Sequence, residues 1–109
     1  MYRQMGQPAK AKESFEMSLQ AVPNQPAIMV QLGVINQLGG DAPAAVRYFS
    51  HAMALQPTDV GLLLLANALL EEGKTKESNA ILDRAVQMSK NIDAAQKQAQ
   101  SLLDEPDWK

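Results

Sequence analysis

The amino-acid sequence predicts an all-α fold, an α-solenoid of stacked antiparallel helix pairs. Helix-favouring residues such as Ala, Leu, Gln and Glu are abundant, while aromatic residues make up only 5% of the 109 residues. A pattern of apolar residues, glycines and prolines also recurs every 34 residues. A period of this length is typical of stacked helix pairs, because one pair alone cannot bury its apolar side.

The repeat is visible as matching residues at a constant offset. The pairs separated by 34 residues are Pro23 and Pro57, Ala11 and Ala45, Phe15 and Phe49, Leu19 and Met53, and Gly6 and Gly40. After Gly73 the offset falls to 33, because the copy that contains Gly73 has one turn residue fewer than the copy that contains Gly39 and Gly40. At this offset Ala45, Phe49 and Ala52 align with Ser78, Leu82 and Ala85.

Six helices follow from this pattern. The predicted ranges are 9–21, 26–38, 43–55, 59–72, 76–88 and 92–103. Pro23 and Pro57 end the second helix of a pair, because proline has no amide donor to continue it. Gly6, Gly40 and Gly73 are predicted at helix ends that need a left-handed residue.

Residues 26–57 resemble one complete tetratricopeptide repeat. The resemblance rests on Met29-x-x-Leu32-Gly33-x-x-Asn36, followed by Ala45-x-x-x-Phe49, Ala52 and Pro57. Before this repeat, Tyr2, Ala11, Phe15 and Pro23 resemble the second half of another. After it, a third copy is degenerate, with Asn67 where a small residue is usual and Lys90 in place of the closing proline.

The resemblance implies about 2.5 repeats and a cap in one repeat domain, residues 1–103, with the antiparallel helix pairs stacked into a right-handed superhelix. The partial repeat is 1–24, the complete repeat 25–57, the degenerate repeat 58–90 and the capping helix 91–103, and residues 104–109 are expected to form a flexible tail. In the capping helix we expect Ile92, Ala95, Ala99 and Leu102 to face inward and the glutamines and Lys97 to face outward. Asn91 or Asp93 is expected to cap its start.

The composition argues against catalysis, cofactors and nucleic acid. Ten Lys and Arg against twelve Asp and Glu give a formal charge of −2, without the basic excess that phosphate-backbone binding needs. The chain has no Cys, and its single histidine, His51, is expected at the surface or partly packed, without a catalytic or metal-binding partner. We therefore expect a non-enzymatic protein that holds no metal or cofactor.

The sequence does not specify the cellular compartment of the protein. No signal peptide is visible, and the longest apolar run, residues 60–70, is shorter than the roughly 20 residues that span a bilayer. We therefore expect no membrane insertion, and both the cytoplasm and the periplasm are compatible with the sequence.

The resemblance also implies a concave groove lined by the first helix of each pair. The matching positions are Ala27, Val30, Gln31, Val34, Gln37, Leu38, Gly61, Leu64, Leu65, Ala68, Glu71 and Glu72. They lack the Lys, Asn and Arg with which related co-chaperones hold a terminal carboxylate. The expected partner is therefore an apolar or amphipathic protein segment. Replacing both Val34 and Leu64 by Glu is expected to abolish this binding while the helices still form.

Other interpretations remain open. The first helices are apolar nearly all round, which predicts burial on more than one side. A neighbouring repeat of a longer array, or a second copy of the chain in a homo-oligomer, could cover them. An RNA-reading helical repeat is a further alternative, weakened by the acidic balance.

Overall fold

The computed structural model describes residues 6–105, with side chains described from residue 9 onward. This part of the chain forms six α-helices and no strand. They are α1 (Gly6–Ala21), α2 (Pro26–Leu38), α3 (Ala42–Leu55), α4 (Asp59–Glu71), α5 (Thr75–Met88) and α6 (Ile92–Asp104). Tyr2 and residues 106–109 of the expected tail lie outside the described residues.

The all-α prediction is confirmed, and every predicted helix is present within three residues of its expected bounds. The largest difference is in α1, which begins at Gly6. This glycine is therefore the first residue of a helix and does not form a turn in front of one. α1 and α3 end two residues before Pro23 and Pro57, as the missing proline amide requires.

Turns and caps fix the ends of the helices. Gly40 and Gly73 have φ angles of 86° and 82°, in the left-handed region that glycine adopts without a steric penalty. Each closes the turn between the two helices of a pair. The side chains of Asp41, Thr58 and Asn91 accept hydrogen bonds from backbone amides in the first turns of α3, α4 and α6, over 3.0–3.1 Å.

The centre of the complete repeat is a close approach between α2 and α3. Phe49 on α3 is fully buried, and its ring fills the space left by Gly33 on α2. A Cβ atom on Gly33 would lie 2.6 Å from Phe49 Cδ1, so only glycine allows this approach. Gly61 serves similarly at the start of α4, where a Cβ would overlap the end of the Met53 side chain.

α6 does not take the position that α4 takes one repeat earlier. Within the preceding pair, α4 packs mainly on α3, the second helix, and only slightly on α2. α6 instead packs mainly on α4, the first helix of the preceding pair, reaches α2 as well, and has at most a marginal contact with α5. The C-terminal helix therefore lies across the side formed by the first helices.

Candidate protein-interaction surface

The candidate site is the side of α2 and α4 on which α6 packs, called here the first-helix face. Leu63, Leu64 and Asn67 of α4 belong to it, because they line an open cleft of about 610 Å³ together with residues of α6. The α6 residues lining this cleft are Asp93, Gln96, Lys97, Ala99, Gln100 and Leu103. The face is thus partly covered by the chain itself.

The structure places the sequence-predicted groove residues at different depths. Those buried are Val34, Gln37, Gly61, Leu64, Leu65 and Ala68. Those half-buried are Val30, Gln31 and Glu72, and those exposed are Ala27, Leu38 and Glu71. Only the last two groups are accessible to a partner while α6 is in place.

Val34 and Leu64 form part of the floor of the predicted groove, and their burial changes the effect on stability that we expect of a substitution there. Val34 and Leu64 are at most 1% exposed. A glutamate at either position would bury a charge without a partner, which costs several kcal/mol. We therefore expect such variants to lose stability, and a binding test needs residues nearer the surface.

α6 has the amphipathic pattern expected of a capping helix. Ala95 and Ala99 are buried, and Ile92 and Leu102 are half-buried against the core. Asn91 accepts the Ala94 amide at 3.1 Å and is the cap. The predicted outward residues, Gln96, Lys97, Gln98 and Gln100, are exposed. The sequence thus indicates which side of α6 is buried but not on which helix it packs.

Polar groups gather where α2 and α4 end, in a set called here the acidic rim: Gln37, Glu71 and Glu72. Gln37 Nε2 donates to Glu71 Oε2 at 3.4 Å, joining positions one repeat apart. Glu72 Oε1 lies 3.6 Å from Lys74 Nζ. Within the described chain, Gln37 Oε1 and Glu72 Oε1 are buried and accept no hydrogen bond. Glu72 Oε1 is still close to the Lys74 ammonium group, whereas Gln37 Oε1 has no donor among the described residues, although buried acceptors are normally satisfied.

Apolar side chains adjoin the acidic rim in the sequence. Leu38 follows Gln37 and is 48% exposed, and Leu70 precedes Glu71 and is 54% exposed. Sequence analysis placed Leu38 and the three rim residues in the groove but gave no sign of the unsatisfied oxygens. The repeat offset of 34 between Gln37 and Glu71 was the available signal that the two helix ends meet.

The repeat-signature residues are mostly buried scaffold. Leu32, Gly33, Ala45, Phe49 and Ala52 are buried, Ala11 and Phe15 are half-buried, and Pro23 and Pro57 are exposed beyond helix ends. In the degenerate repeat, Ser78 and Ala85 are buried and Leu82 is half-buried. The Ser78 hydroxyl donates to the carbonyl oxygen of Ala66 at 2.8 Å, so this polar residue fits the place that Ala45 has in the complete repeat.

A second surface, called here the α5 outer side, is centred on exposed Val86. Met88, two residues later, is exposed on a different side of the helix, where it lines a cleft with Ala94 of α6. Met53, the counterpart of Val86 one repeat earlier, is 6% exposed because α4 covers it, whereas Val86 is 55% exposed. Sequence analysis did not single out this side, because the same apolar pattern is buried in the preceding repeat.

The described residues offer little for metal or membrane chemistry. His51 is exposed on α3. No three acidic or histidine side chains in residues 6–105 lie close enough together to hold a metal ion. Each of the six helices is too short or too polar to cross a bilayer.

Helix pairs repeated every 34 residues, joined by glycine turns and packed through Gly33 and Phe49, define a helical-repeat protein. A family model described as tetratricopeptide repeat matches residues 38–103. This is more than half of the chain, and the chain belongs to the tetratricopeptide repeat family. Repeats of this family generally mediate protein–protein interactions and are generally non-catalytic.

One curated relative gives a second comparison. The chain is 34% identical over 83 residues to "Cellulose synthase operon protein C" of Xanthomonas axonopodis pv. citri (strain 306). The match covers 75% of this chain but only 5% of that protein. No solved structure matches the chain.

Proposed function

We propose that this chain is a protein-interaction segment whose first-helix face binds an amphipathic helix from another protein. The partner helix lies along α4 and α2, and a basic residue on it meets the acidic rim. The observation that carries this proposal is α6 itself: an amphipathic helix is already seated on this face, through Ala95 and Ala99. A face that fits one such helix is suited to another.

The acidic rim indicates that the partner helix carries a positive charge where it meets the rim. Glu71 is exposed and acidic, and the buried Gln37 Oε1 beside it accepts no hydrogen bond within the described chain, so the rim favours a group that brings positive charge and hydrogen-bond donors. Lys and Arg carry positive charge and several donors, whereas Asp and Glu carry none when ionised. Half-buried Val30 and Gln31 and exposed Leu38 add accessible contacts on α2. The partner helix is therefore expected to combine an apolar stripe with a basic residue near one end.

A displayed library of 15-residue amphipathic helices with varied charge tests this proposal. We expect the wild-type chain to enrich helices that carry Lys or Arg at one end. Introducing Glu71→Lys and Glu72→Lys together is expected to lower binding of those helices by about tenfold or more, because two attractive charges become repulsive. Anisotropy titration of a labelled selected helix measures the change.

The matched control introduces Glu13→Lys and Asp83→Lys, the same charge change at exposed positions on α1 and α5. This variant is expected to bind within about twofold of wild type, since salt screens exposed charges and the control positions are outside the acidic rim. Equal loss in both variants, or selection of helices regardless of charge, would contradict the rim assignment.

A second candidate function is assembly. The α5 outer side is open where the preceding repeat is covered, and the relative is far longer than this chain. We propose as the alternative that the chain is a spacer segment of a longer repeat array, or that this side joins two copies. Molar mass measured against concentration tests self-association, and a constant monomer mass would exclude the homo-oligomer.

By its name the relative belongs to a cellulose synthase operon, so products of such an operon are the natural proteins to test first as partners.

A further inference from the structure

We propose that α6 is a displaceable occupant of the first-helix face, which leaves α4 and α2 when a partner helix binds. This inference rests on the proposed function and deepens it, because it makes the chain's own C-terminal helix the competitor for the binding surface. Three features of the described chain support it: where α6 lies, how it contacts α4, and how it is joined to α5.

The first feature is position. Gly61 at the start of α4 is buried against Met53 of α3. The counterparts one repeat later, at an offset of 33, are Ala94 of α6 and Val86 of α5, and both are exposed. α6 therefore does not complete a further stacked repeat, and it packs mainly on the first helices α4 and α2.

The second feature is the quality of the contact. The buried apolar residues of α6 are two alanines, Ala95 and Ala99, and its larger apolar residues Ile92, Leu102 and Leu103 are only half-buried against the core. Polar Gln96, Lys97 and Gln100 line the open cleft beside Leu63 and Leu64 of α4. Alanine buries much less apolar surface than Leu or Phe, so a partner helix with larger residues would bind this face more strongly.

The third feature is a hinge. The Ser89 hydroxyl donates to Asp59 Oδ2 at 2.7 Å and ties the end of α5 to the start of α4. α6 then begins with its own cap, as Asn91 accepts the Ala94 amide. One exposed hydrogen bond crosses Lys90, from the Asn91 amide to the Ser89 hydroxyl at 3.2 Å, so movement of α6 as a folded unit has to break this single bond but does not open α5.

Thiol labelling of the full chain measures this movement, since the protein has no Cys. Three single variants are compared: Ala99→Cys in the α6 contact, Ser78→Cys in the α4–α5 core, and Ala94→Cys on the exposed side of α6. We expect Ala99→Cys to label about tenfold or more faster than Ser78→Cys, and more slowly than Ala94→Cys, because local opening needs less free energy than global unfolding. Rates are normalised to those of each variant in denaturant.

Ala95→Cys repeats the measurement if Ala99→Cys disturbs the helix. Equal labelling rates for the α6 contact and the core would overturn the inference, because α6 would then open only when the whole chain unfolds. The labelling contains no partner, so a failure of the proposed function leaves its result unchanged.

A labelled peptide of residues 91–105 tests the competition directly. It is added to full chains carrying either Ala99→Glu, which unseats the resident helix, or Ala94→Glu, the same change at an exposed position of α6. We expect the peptide to bind the Ala99→Glu chain about tenfold more tightly than the Ala94→Glu chain. Equal affinity for the two chains would show that α6 does not block the face.

Discussion

At the scale of single residues, the complete repeat depends on the match between a glycine and a ring. Gly33 and Phe49 were both recognisable in the sequence from the repeat pattern, and the structure brings them into contact. The degenerate repeat has Asn67 and Leu82 at the corresponding positions, so both members of the pair change together.

Gly33→Ala is expected to lower the free energy of unfolding by about 1–3 kcal/mol, because the new methyl group overlaps the Phe49 ring. Urea denaturation measures it. In the Phe49→Leu background the same change should cost at least about 1 kcal/mol less, the coupling expected of residues in contact. Gly39→Ala is the control: its φ is −82°, so alanine is allowed, and the change should stay within about 0.5 kcal/mol. Equal costs in both backgrounds would contradict this packing.

The unsatisfied oxygens of Gln37 and Glu72 were not predictable at this scale. The sequence placed both residues near the ends of first helices, but hydrogen bonding depends on the orientation of each side chain. Their burial arises from packing between repeats, which a pattern along one chain does not specify.

At the scale of helices, the bounds could be predicted because their signals are local. Prolines, glycines with positive φ and capping side chains act within a few residues of the helix end. The placement of α6 could not be predicted in this way. Its apolar stripe specifies a buried side, but α4 and α5 both offer apolar surface. Which helix it packs on is a tertiary property.

Removal of the α3 cap and removal of the α6 cap should therefore destabilise different parts of the chain. Asp41→Ala and Asn91→Ala each remove one capping hydrogen bond of 3.1 Å, worth about 1 kcal/mol. Asp41→Ala should lower global stability, since α3 carries Phe49 in the core. Asn91→Ala should raise hydrogen exchange in α6 while leaving exchange in α2 and α4 nearly unchanged. A uniform rise across all helices in the Asn91→Ala chain would show that α6 is part of one cooperative unit.

At the scale of the whole molecule, the chain is a stack of helix pairs with one helix folded back over the first helices. The 34-residue period was sufficient to predict the pairs and the family. It also led to the expectation of an open apolar groove, whereas most of the groove floor is buried in the described chain. The expected burial of first helices on more than one side is met here in part by α6, a helix of the same chain.

The most direct test is an NMR titration of the full-length chain with a basic amphipathic helix selected from the library. We expect large shift changes at the amides of Gln37, Leu38, Glu71 and Glu72, together with changes throughout α6 that report its release from α4. Changes confined to α1 or to the α5 outer side, with α6 resonances unmoved, would contradict both the binding face and the displacement of α6.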